Sequence, residues 1–261
     1  MSQEIKTINS DGNAEDTASA WKGLYRTGGA AALIATVLFL GDIVVLTTLG
    51  SAPSTASDWL ALLQNNKVVG ILQLFFTDLI GVTLMAPIIL ALYVALRRAN
   101  AAYATLAIAI AFIGIALVLA TNTNYALIYL SNQYAAATTE VQRTQLLAAA
   151  ESTLATGMGT GPLVAGFLLE GALMMISVIM LQGNIFGKGI AYLGILAHGL
   201  DLAHAIVFLI FIPVFADVAL AIGTPLLAIG GTLQLIWYPL VARRLFQLGR
   251  QIIPDGTVHA K

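Results

Sequence analysis

The sequence predicts an all-α fold, a polytopic membrane bundle of six transmembrane helices with two short extracytoplasmic interfacial helices. Three observations predict it. Composition is the first: 59% of residues are hydrophobic, 10% are charged, and the mean hydropathy is +0.88. Soluble domains carry about 25% charged and about 45–50% apolar residues, and a water-soluble fold of this length could not hide so much apolar surface. The second is segment length. A bilayer core of ~30 Å takes about 20 apolar residues as helix, and six stretches supply them: 28–49, 68–96, 102–129, 161–181, 190–211 and 225–245.

The third observation is where the positive charges fall. Lys6, Lys22 and Arg26 precede the first span, Arg97 and Arg98 follow the second, and Lys188 follows the fourth. Arg243, Arg244, Arg250 and Lys261 follow the sixth. Ten of the twelve basic residues thus share one side of a six-span chain, and only Lys67 and Arg143 fall on the other. Five or seven spans would scatter them. The positive-inside rule makes the crowded side cytoplasmic, so a multi-pass protein of the cell membrane with both termini in the cytoplasm is expected.

The expected organisation is a disordered cytoplasmic tail over 1–26, a transmembrane domain over 27–248 and a cytoplasmic C-terminal tail over 249–261. The first twenty residues are polar and mildly acidic, with Glu4, Asp11, Glu15 and Asp16. A cleaved signal peptide begins basic and turns apolar quickly, so the first span is expected to act as its own signal. Two outer connections carry helix-start patterns. Thr55-x-x-Asp58 opens a stretch over 55–65 with Trp59, Leu62 and Leu63 on one face, which predicts a helix on the outer interface with Trp59 at headgroup level. Thr139-x-x-Gln142 opens a second over 139–154, with Leu147, Ala150 and Leu154 on one side. Gly157, Gly159 and Gly161 then form a turn, with Pro162 opening the fourth span. No strand precedes this glycine run and it lies on the outer side, so a phosphate-binding loop is not expected.

Several function classes are excluded early. The formal charge of -1 and the lack of a basic stripe with interleaved aromatics exclude nucleic acid as a partner. With no cysteine, disulfides, thiolate chemistry and iron–sulfur ligation are absent. The two intramembrane histidines lie in one span, which does not suit a haem held between facing helices. No cofactor is expected.

The informative residues are those that do not belong in lipid. Asp42, Asp78, Glu170, His198, Asp201 and His204 lie within the spans, where a charge costs at least ~2.5–3.5 kcal/mol. Thr121, Asn122, Thr123 and Asn124 lie near the outer end of span three, and Gln234 lies in span six at comparable depth. Placed by helix direction, these residues occupy one layer between the membrane centre and the outer surface, while the inner halves of the spans are nearly all apolar. The expectation is a polar pocket that opens outward and is sealed inward by aliphatic packing. Small and polar neighbours at helical spacing, such as Gln73, Gly81, Gly166, Ser177 and Gly194, support an interior position, because small residues let helices approach closely.

Three readings of this layer are open. It locks the bundle by sharing protons and hydrogen bonds, in a protein that is purely structural or a partner subunit. It binds or moves a small ligand or a proton, with Asp42, Asp78, Asn122, Glu170, His198, Asp201, His204 and Gln234 as candidate residues. Or it holds a metal for hydrolysis, with Asp201 and His204 as candidate ligands. Asp201 lies three residues from each histidine and shares a face with either, but the histidines are ~9 Å apart along the axis and ~120° apart around it. They would not bind one ion together. An inverted repeat between the two halves, the mark of many transporters, is not evident.

Three segments carry a resemblance: Arg26-Thr-Gly-Gly29 entering span one, Ala91-Leu-Tyr-Val-Ala-Leu-Arg97 leaving span two, and Phe186-Gly-Lys-Gly-Ile-Ala-Tyr-Leu-Gly194 entering span five. With these the layout resembles an uncharacterised bacterial and archaeal family of six-helix membrane proteins, classed under a domain of unknown function. The resemblance covers nearly the whole chain and implies a fold, not a chemistry.

Overall fold

Side-chain caps and glycines set where the helices start and stop in the computed structural model. It describes the backbone of residues 2–74, 76–157, 159–212 and 214–251, and the side chains of 21–74, 79–157, 159–212 and 214–250. Helix α1 (Ser2–Leu49) runs unbroken through Lys22 to Arg26 into the first span and ends at Gly50, whose φ of 78° is the left-handed conformation that glycine adopts without strain. Helix α2 (Ala56–Asn65) starts on Thr55, whose hydroxyl accepts the Asp58 N–H at 3.2 Å and donates to the Asp58 carboxylate at 2.7 Å. Asn66 then caps α3 (Lys67–Gln73) by accepting the Val69 N–H. Helix α4 (Phe76–Leu96) follows, and Asn100 caps α5 (Ala101–Thr121) through the Tyr103 N–H.

After these come α6 (Asn124–Ala136), α7 (Glu140–Gly157), α8 (Thr160–Gln182), α9 (Lys188–Phe211) and α10 (Ala216–Gln251). Thr139 caps α7 by accepting the Gln142 N–H at 3.3 Å, and the Gln142 amide oxygen reaches back to the Thr138 N–H at 3.1 Å. That is the reciprocal capping pattern read from the sequence, closed one residue earlier.

Six stretches are long and apolar enough to cross a membrane, carried by α1, α4, the run from α5 to α6, the run from α7 to α8, α9 and α10. The principal helices α1, α4, α5, α8, α9 and α10 pack each against the next in chain order, and α10 closes the ring on α1. Short connections at 97–100 and 183–187 lie at one end of the ring. The other end carries α2 and α3 between α1 and α4, α6 and α7 between α5 and α8, and the connection from α9 to α10. Lys22, Arg26, Arg97, Arg98, Lys188, Arg243, Arg244 and Arg250 sit toward the first end, and Lys67 and Arg143 lie among the four shorter helices.

Two spans read as continuous are interrupted. Span two is divided into α3 and α4 after Gln73, with Leu74 in a turn, and span three is divided into α5 and α6 at Asn122 and Thr123. The cause in span three is local. The Asn122 side-chain oxygen accepts the Asn124 N–H at 3.2 Å, a bond that competes with the helical ladder. The two breaks are tied together, because the Asn124 amide donates to the Leu74 carbonyl at 2.7 Å. Gly157 and Gly161 meet them from the third direction: a Cβ at either would fall 2.7 Å from Thr123 or Thr121.

Burial divides the molecule into two cores. Toward the basic end, Ile88, Ile89, Leu92, Leu96, Leu173, Met180, Val241 and Leu245 pack almost fully buried. At the other end, α2, α3, α6 and α7 form a cap with a core of its own around Trp59, Leu60, Leu63, Leu127 and Ala150. Trp59 is only 5% exposed and fills this cap core. Along the bundle the outward faces are apolar and uncovered: Val37, Leu40, Val44 and Leu46 on α1, Leu209 and Ile210 on α9, and Leu220, Leu227 and Ile229 on α10. An apolar belt of this extent is foreign to soluble monomers and fits a multi-pass membrane protein.

Candidate functional site

Where α8, α9 and α10 meet, four of the residues singled out by polarity come together. Glu170 stands mid-way along α8, His198 and Asp201 share a face of α9 at a three-residue spacing, and Gln234 projects from α10. Helices α8 and α10 flank α9 in the ring, which brings the three inner faces to one point. His198 Nδ1 lies 2.7 Å from Glu170 Oε2. The Gln234 amide nitrogen donates twice, to Asp201 Oδ2 at 2.5 Å and to Glu170 Oε2 at 3.3 Å. One amide therefore bridges two carboxyl groups, with an imidazole on the far side of one of them.

Burial is deep. His198 is 0% exposed, Asp201 7% and Gln234 8%, while the Glu170 side chain keeps 18%. The cluster holds two carboxyl groups and one imidazole with no lysine or arginine among its hydrogen-bond partners, so neutrality requires two protons shared among three groups. Two buried atoms, His198 Nε2 and Asp201 Oδ1, have no hydrogen-bond partner among the described residues. Such atoms cost about 1–3 kcal/mol each and call for an explanation.

An aromatic wall fixes the imidazole. Trp237 stands edge-on to His198 with centroids 4.7 Å apart, and Tyr238 lies 6.3 Å away. The Trp237 indole N–H donates to the Ile190 carbonyl at 3.1 Å, and the Tyr238 hydroxyl contacts the Met85 sulfur at 3.5 Å. Two glycines make the approach possible. A Cβ on Gly230 would enter the Asp201 carboxylate, and one on Gly194 would enter Ser177 Oγ and Trp237 Nε1. These positions were not singled out for the site, Gly194 apart. Trp237, Tyr238 and Gly230 lie three residues after, four after and four before Gln234, so the helical face of that glutamine was the available signal.

The remaining candidates lie elsewhere. His204 turns to α10, where its Nδ1–H donates to the Gly223 carbonyl at 3.0 Å and its ring leans on Phe208. Among the described residues no hydrogen bond joins it to Asp201, and no group of three His, Asp or Glu could hold a metal ion. Asn122 lines a separate cavity of about 340 Å³ at the α5–α6 break, with Thr121, Thr123, Asn124, Gly157 and Pro162. Asp42 is half-buried on the half of α1 nearer the cap. Asp78 belongs to α4, but its side chain lies outside the described residues.

No family model, curated protein or solved structure matches this chain. Function is therefore argued from the cluster itself.

Proposed function

We propose that this is a multi-pass protein of the cell membrane, with both termini in the cytoplasm, whose Glu170–His198–Asp201–Gln234 cluster binds or moves a proton or a small ligand reaching it from the capped side. The observation that carries the reading is the 2.7 Å contact between a fully buried imidazole and a carboxyl group, beside a second carboxyl group. Imidazole and carboxyl groups at mid-depth are what proton relays are built from. With Glu170 ionised, His198 carries hydrogens on both ring nitrogens and donates from Nδ1; with Glu170 protonated, the Glu170 O–H donates to Nδ1 of a neutral imidazole that keeps its hydrogen on Nε2. One proton moving over this contact converts one state into the other without moving a heavy atom far.

Of the two cargoes the proton is favoured. The cluster side chains already lie within hydrogen-bond distance of one another, and a proton needs no room between them. Aliphatic packing toward the basic end supports access from the other side, where the outer halves of α1 and α10 are thinly packed. The test is proton flux in liposomes carrying the purified protein and an internal pH dye. Glu170→Gln keeps an acceptor for His198 and Gln234 but loses the exchangeable proton. It is expected to abolish flux while the protein is made and melts as the wild type does. Unchanged flux would remove the relay. A large fall in melting temperature with no flux in either protein would assign the cluster to bundle stability.

A further inference from the structure

At the basic end, α1 and α10 enclose a cavity of about 440 Å³ lined by Leu33, Pro239, Arg243, Phe246, Gln247 and Arg250. Its apolar part is Leu33, the Pro239 ring and Phe246, and the Phe246 ring fits over Gly29, where a Cβ would lie 3.1 Å from it. Its polar part consists of cations and an amide. Arg243 and Arg250 are seven residues apart, so they lie on nearly one face of α10 about 10.5 Å apart along the axis. Both are exposed, and neither has a carboxylate or hydrogen-bond partner among the described residues.

Their neighbours differ. The Arg244 guanidinium is occupied, donating to the Ile185 carbonyl and to the Gln247 amide oxygen at 2.9 Å, and Arg97 lies over the Trp21 ring. Because Arg244 takes the Gln247 oxygen, what that residue has left for the cavity is its N–H₂ group. The cavity thus offers two guanidinium groups with no carboxylate partner among the described residues, and an amide donor, beside an apolar floor. Guanidinium groups match phosphate oxygens in geometry and charge, and basic pockets between spans at the cytoplasmic face suit anionic head groups.

We infer that this cavity is a binding site for one anionic phospholipid, its phosphate between Arg243 and Arg250 and its acyl chain along Leu33, Pro239 and Phe246. The inference is independent of the proton reading and stands if that one fails. A zwitterionic lipid brings its own cation and gains less. Free phosphate meets the same guanidinium groups but leaves the apolar floor bare.

The test uses purified full-length protein in detergent, with phosphatidylglycerol, phosphatidylcholine or glycerol phosphate added, and reads bound lipid by native mass spectrometry. Phosphatidylglycerol is expected to bind about tenfold or more tightly than phosphatidylcholine, and R243Q/R250Q to abolish that preference. Arg98→Gln with Lys188→Gln, at the same end but outside the cavity, is expected to leave it intact. If the double variant does not fold, Arg250→Gln alone, in the exposed last turn of α10, must still weaken the preference severalfold. Equal binding of the two lipids, a preference that survives R243Q/R250Q, or one lost equally in the control variant would overturn the site. Glycerol phosphate binding as tightly as phosphatidylglycerol would overturn its assignment to a lipid.

Discussion

Gly230 leaves empty the space into which Asp201 Oδ1 points, and this absence lets Asp201 lie against Gln234. Gly230→Ala should therefore push the carboxylate aside and break its bond to the bridging amide. Overpacking of this kind costs about 1–3 kcal/mol, so a clear fall in melting temperature is expected in detergent. Gly41→Ala, where a Cβ meets nothing within 4 Å, should be neutral or slightly stabilising. At this scale the sequence was informative about cost and silent about shape. Glu170, His198, Asp201 and Gln234 stood out because each is expensive in lipid. Trp237 and Tyr238 did not, because aromatics near the end of a span read equally well as anchors at the membrane surface. Gly230 is one of many small residues in spans, and only its neighbour across the interface gives it a role.

At the scale of elements, hydropathy located the spans and missed their interruptions. A window of 20 residues averages over Thr121 to Asn124, whereas the chain breaks there because Asn122 takes the Asn124 N–H for itself. The break at Leu74 has even less local signal: the residues around it are apolar, and its carbonyl is held by Asn124 from another helix. Asn124→Ala removes that tie, a part-buried hydrogen bond worth about 0.5–1.5 kcal/mol. Hydrogen exchange should then rise in α3 and α6 while the Leu92–Leu173–Val241 region stays protected. Uniform protection would mean that the two breaks do not depend on each other. The helix starts at Thr55 and Thr139 were legible because capping is chemistry between near neighbours. Their burial was not, since Trp59 finds its partners on α6 and α7, far along the chain.

For the whole molecule, the count of spans and the segregation of charge were both in the sequence, and the ring order follows from short connections between neighbours. What no periodicity announced was a second core, because its members come from four short helices that are individually unremarkable. The cap and the basic residues lie at opposite ends, which makes orientation directly measurable. The chain contains no cysteine, so Ser57→Cys on the cap and Lys188→Cys at the basic end each give a single labelling site. In intact cells an impermeant maleimide should label the first and not the second; the reverse pattern would invert the orientation. That orientation decides which side feeds the cluster. With three histidines in the chain, the His198 imidazole can be followed by nitrogen-15 magnetic resonance in sealed vesicles of known protein orientation while the pH is stepped on one side only. A proton-exchanging site predicts that the His198 signal follows the pH on the cap side, ignores the basic side, and stops responding in Glu170→Gln. A His198 signal that is indifferent to both sides, or that follows the basic side, would contradict the account.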